Sequence, residues 1–161
     1  MRSKAFSPFI STAFIIALGI AAISLVLTVV KPALDKARDS AIINEAFQNL
    51  NLIDGTIREV ASEGEYSKRT INLKVTDGVY NVDSLNDRVI FTYSLKSDLD
   101  IGGSRDRVNV SLNVGNVNLF VSYDKLDIQG SDHFPKGENI VIISHDGTNP
   151  TSNYPIIYVG K

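Results

Sequence analysis

Three hydropathy regimes follow one another along the chain. From Ala5 to Val30 there are 26 residues without a charge. Their apolar side chains, among them Phe9, Ile15, Leu18, Ile23 and Val29, face all round a helix instead of forming one stripe. A helix rises about 1.5 Å per residue and needs roughly 20 residues to cross a hydrocarbon core, so this block is long enough to span. Further on, Ile43, Ala46, Phe47, Leu50, Ile53, Ile57, Val60 and Ala61 recur at three- and four-residue steps between polar residues such as Asn44, Gln48 and Arg58. This pattern predicts an amphipathic helix packed on the domain that follows. Pro32 predicts a kink between the two stretches, Asp54-Gly55 a weak point and Gly64 the stop. A helix from Pro8 to Ser62 would measure about 80 Å.

After Gly64 the period changes to two. Strands are predicted at Thr70–Val75, Val79–Val82, Arg88–Leu95, Val108–Val114, Val117–Tyr123, Leu126–Gln129, Asn139–Ser144 and Tyr154–Val159. Asp77-Gly78 reads as a hairpin turn between the first two. In the fourth, Val108, Val110, Leu112 and Val114 are expected to be buried and Asn109, Ser111 and Asn113 wet. The fold class expected is α+β: a long N-terminal hydrophobic helix followed by an antiparallel β-sandwich of seven or eight short strands. The expected divisions are a hydrophobic helix over 6–30, its amphipathic continuation over 31–64 and a β domain over 65–161.

Composition narrows the function. The 161 residues carry a net charge of −2 and include no cysteine and two histidines. Disulfides, thiolate metal sites and cysteine nucleophiles are therefore excluded. The near-neutral balance argues against a nucleic-acid partner. Charge is unevenly shared: Arg2 and Lys4 are alone in residues 1–30, leaving net −4 beyond. Lys31, Lys36 and Arg38 lie at the far end of the apolar block, so lysine and arginine counts choose no membrane orientation. Val29-Val30-Lys31-Pro32 is a poor match to a secretory cleavage site.

Chemistry-bearing residues are sparse. His133 and His145 fall in or beside predicted turns and read as solvated. Asp98, Asp100 and Asp106, around Gly102-Gly103, faintly resemble a calcium loop, but Gly102 offers no side-chain oxygen and Asn109 stands where a bidentate glutamate is wanted. A plain loop is the competing reading. Asn109-Val110-Ser111 is a glycosylation sequon. With no glycine-flanked serine nucleophile and no phosphate loop, neither enzyme activity nor a cofactor is expected.

The most specific signal precedes the apolar block. Lys4-Ala5-Phe6-Ser7, followed by Pro8-Phe9-Ile10, resembles the processing site and mature start of archaeal type IV pilin-like precursors, those with class III signal peptides. The resemblance implies that residues 1–5 are a leader, cut between Ala5 and Phe6 by a prepilin peptidase. Ala5 stands where glycine is commoner in that family, and Ile10 where bacterial pilins carry glutamate. Ser7 suits a helix cap and Pro8 the first helical position. Ala13, Ala17 and Ala21, four residues apart, would let helices approach closely as an assembly face. The function expected is a structural subunit, membrane-anchored as a precursor and then a homo-oligomer in a helical extracellular filament used for adhesion. An archaeal motility-filament subunit and a monomeric membrane-anchored binding module are the alternatives.

Overall fold

The structure is a computed structural model that describes residues 8–130 and 133–161. It begins with one helical run in three parts: α1 (Pro8–Leu25), a π segment (Val26–Val30) and α2 (Lys31–Glu63). Pro32 brings no N–H to the ladder, and the irregularity expected of it takes the form of the π segment one turn earlier. There the Lys31 N–H donates to the Val26 carbonyl, and the Thr28 hydroxyl donates to the carbonyls of Ser24 at 2.9 Å and Leu25 at 3.3 Å. The helix does not weaken at Asp54-Gly55. Asp54 is tied to Arg58 one turn on, at 3.0 and 3.1 Å, so its carboxylate does not compete for the backbone. The run ends at Glu63, where Gly64 takes the positive φ of 97° that stops a helix.

Nine strands follow among the described residues: β1 (Lys68–Val75), β2 (Val79–Asp83), β3 (Arg88–Ser94), β4 (Asn109–Asn113), β5 (Asn116–Ser122), β6 (Asp127–Gln129), β7 (His133–Phe134), β8 (Gly137–Thr148) and β9 (Pro155–Gly160). They form a four-stranded sheet in the order β1-β8-β9-β6 and a five-stranded sheet in the order β4-β5-β3-β2-β7. The architecture is thus α+β, with two departures from the antiparallel pairing and tight turns expected. The β6–β9 pair is parallel. Between these strands the chain crosses to the other sheet for β7 and returns through β8, so β6 and β9 run the same way.

The second departure lies at Asp77-Gly78, which is a corner and not a hairpin turn. β1 pairs with β8, whereas β2 pairs with β3 and β7 in the other sheet. The helix holds this corner. Glu45 accepts from the Thr76 N–H at 2.7 Å and the Thr76 hydroxyl at 2.6 Å, and Arg38 pairs with Asp77 at 3.0 Å. Gly78, at φ 88°, lies so close to the Phe91 ring that a Cβ would collide with it. An Asp-Gly pair with alternating flanks marks a turn; here tertiary partners decided which turn.

Leu50, Ile53, Ile57 and Val60 of α2 are essentially inaccessible and pack with Leu73 of β1, Ile143 of β8, Phe91 of β3 and Leu119 of β5 in one core. One face of α2 therefore meets strands of both sheets. The expected face is buried apart from Ala61, which is half-buried, and Ile42 extends it toward the N-terminus.

Candidate functional site

The feature of the molecule that most needs a function is the helix outside the core. Every side chain from Phe9 to Leu34 is exposed except half-buried Asp35 just beyond, and no strand covers any of them. Within this stretch the helix is long and apolar enough to cross a membrane, and none of that part is buried. Ala13 and Ala17 line a shallow apolar groove of about 410 Å³ together with Phe9, Ile10 and Phe14. Ala21 is exposed one turn further but does not line that groove. The tetrad Lys4, Ala5, Phe6 and Ser7 lies outside the described residues.

Where the helix enters the domain it is fixed by a carboxylate that sequence reasoning did not single out. Asp39 is fully buried. One of its oxygens accepts from the Tyr93 hydroxyl at 2.7 Å; the other accepts from the Lys96 N–H at 2.9 Å, the Ser97 N–H at 2.8 Å and the Ser97 hydroxyl at 2.7 Å. Burial alone raises a carboxyl pKa, but here the bonds from Ser97, Tyr93 and the two amides outweigh it and hold Asp39 below its ordinary value. Burial first, and then Asp39 itself, push the Tyr93 phenol well above its usual range. Asn49 adds a further tie, donating to the Lys74 carbonyl at 2.9 Å. Together with Glu45 and Arg38, these bonds mount the helix rigidly on the domain.

A second buried carboxylate lies further along α2. Asp54 pairs with Arg58 at 3.0 Å and with Arg107, from the turn before β4, at 3.3 Å. The Arg58 guanidinium lies 5.8 Å from the centre of the Tyr123 ring. Burial first, and then the Asp54 charge, drive the Tyr123 phenol well above its ordinary pKa. The spacing of Asp54 and Arg58 on one helix was legible in the sequence; Arg107 was not, because only the fold brings it there.

The remaining candidates are scattered. Asp98, Asp100 and Asp106 are all exposed, and among the described residues no three His, Asp or Glu side chains gather where a cation would bind. Asn109 is exposed at the start of β4, an edge strand, and accepts from the Ser104 hydroxyl at 3.3 Å. The alternation expected for β4 fails toward its tip: Val108 is buried, Leu112 is 56% exposed and Val114 fully exposed. That tip belongs to a hairpin running beyond the core. His133 is exposed on β7, but His145 is not the solvated turn residue expected. β8 continues through a bulge past Asp146-Gly147 instead of ending there, which buries His145 on the same face as Val141 and Ile143. Neither of its ring nitrogens has a hydrogen-bond partner among the described residues.

Comparison of the chain with family models, with curated proteins and with solved structures returns no match.

Proposed function

We propose that this chain is the structural, non-catalytic subunit of a type IV pilus-like surface filament of the archaeal kind. Its apolar helices would bundle in the filament core, and its β domains, the two sheets closing as a sandwich over α2, would form the outer layer and serve attachment. The observation that carries this reading is a single helix with half of its length in the domain core and the other half apolar and wholly uncovered. So large an apolar surface is not stable in water and must be covered by lipid or by other chains. The groove at Ala13 and Ala17 favours other helices at some stage, because apolar helices associate through close packing at small residues. The Lys4-Ala5-Phe6-Ser7 tetrad supplies the step between the two environments. Arg2 and Lys4 can snorkel to headgroups in a membrane, whereas burying them in a helix bundle would cost several kcal/mol per uncompensated charge. Cleavage after Ala5 removes both.

The test is the intact mass of the native protein together with negative-stain microscopy of the material. Loss of residues 1–5 from protein recovered in filaments is the expected result, with Ala5→Leu accumulating as full-length, membrane-retained protein without filaments. An intact N-terminus on single membrane-bound copies would replace this reading with that of an anchored binding module.

A further inference from the structure

We propose that the cleft beside Asp54 binds an acidic saccharide through its carboxylate. The cleft measures about 440 Å³, the size of a small-ligand site, and lies between the C-terminal part of α2 and the segment after β5. Polar Arg58, Ser62, Arg107, Asp124 and Lys125 line it together with apolar Leu126 and Pro155. Such a mixed lining suits a sugar ring, which has polar edges and an apolar face.

Arg58 is prepared for an anion. Arg58 uses its Nε on the buried Asp54 carboxylate, at 3.0 and 3.1 Å, which fixes the guanidinium plane and leaves its two terminal nitrogens without a hydrogen bond among the described residues. Arg107 is ion-paired with Asp54 through Nε at 3.3 Å and donates a terminal N–H to the Ser122 carbonyl at 3.5 Å, so the free fork is that of Arg58. A fork fixed in this way matches a carboxylate with little further loss of freedom. The lining holds three cations, Arg58, Arg107 and Lys125, against Asp124 and the Asp54 carboxylate that both arginines meet, a formal excess of one positive charge. The surrounding region from Lys31 onward is net −4. That balance suits one carboxylate on a small ligand and repels long polyanions. Arg58 lies about 40 Å along the helix from Val30, so the cleft is remote from the apolar segment and open to the surroundings. The site works equally on a filament subunit or a single anchored copy, so it does not depend on the filament reading.

Calorimetric titration of the detergent-solubilised full chain tests it, with digalacturonate as probe and maltose, sodium sulfate and a short acidic peptide as comparisons. Saturable binding of digalacturonate but not maltose is expected. Arg58→Gln should weaken it by about tenfold and Lys125→Gln by about threefold. Because Arg58→Gln also disturbs the Asp54 pairing, Lys125→Gln, an exposed position outside that pairing, is the decisive variant; its melting temperature should match the parent. No saturable uronate binding, uronate binding unaltered by Lys125→Gln, sulfate binding as tightly as the uronate, or preference for the peptide would each overturn the proposal.

Discussion

The two halves of the N-terminal helix obey the same backbone rules and have opposite fates. Phe9–Val30 is the more apolar half, yet it buries nothing; Lys31–Glu63 is the more polar half, yet it supplies the middle of the core. Hydrophobicity alone therefore does not place a segment inside its own domain. A stripe does: Ile43, Leu50, Ile57 and Val60 stand on one face that the two sheets cover, whereas a helix apolar all round cannot be enclosed by so small a domain. It is left for an environment outside the chain.

The sharpest way to break this contrast is to separate the halves. A fragment beginning at Ala37 should fold and melt cooperatively, and one beginning at Tyr66 should not. Each large side chain of the α2 face contributes roughly 1.5–3 kcal/mol, so losing several is comparable to the whole stability of an ordinary domain. A fragment beginning at Asn44 should fold but melt earlier than the Ala37 fragment, since it lacks Asp39, Ile42 and Ile43. Circular dichroism melts of the three fragments decide it; equal melting temperatures would show that the helix only tethers the domain.

Matched truncations come next. Leu50→Ala should cost about 2–5 kcal/mol of domain stability in urea, and Leu18→Ala in the same protein none, although the residue type is identical. Any loss of domain stability from Leu18→Ala would mean that the apolar half has an intramolecular partner after all.

At the join, Asp39→Ala should cost about 3 kcal/mol, because the Tyr93 hydroxyl and the Lys96 and Ser97 amides lose a buried acceptor. The acid dependence has a definite sign. Asp39 is held below its ordinary pKa, as is Asp83 by hydrogen bonds from Asn86 and Arg88. The stability each adds is complete above the unfolded value near 3.8 and is lost as pH falls through the lower folded value. Melts from pH 7 to pH 2 should therefore fall steeply for the parent and less steeply for Asp39→Asn, which starts lower.

The smallest expected effect on the domain, and the most selective on assembly, is that of Ala17→Leu. Domain melting and membrane insertion should be unchanged while filament formation is impaired, because the added side chain fills the groove shared with Ala13 and Phe14. Normal filaments from this variant would reduce the alanines to good helix composition.

By itself the sequence determined the elements: a long helix with an apolar and an amphipathic half, its stop at Gly64, the buried face of α2, and most of the strands. These follow from short-range periodicity and from residues with few backbone options, so they are readable within a window of a few turns. Tertiary structure alone decided how those elements are joined. Asp77-Gly78 became a corner because, from the helix, Glu45 takes the polar groups of the preceding Thr76 and Arg38 pairs with Asp77. β6 pairs parallel with β9 because the chain visits the other sheet in between, and His145 is buried because β8 runs on through a bulge. Asp39 and its donors, and the place of Arg107 beside Asp54 and Arg58, were illegible for the same reason. A buried charge depends on donors tens of residues away, and only the closed fold brings Lys96, Ser97 or Arg107 within a hydrogen bond of the helix.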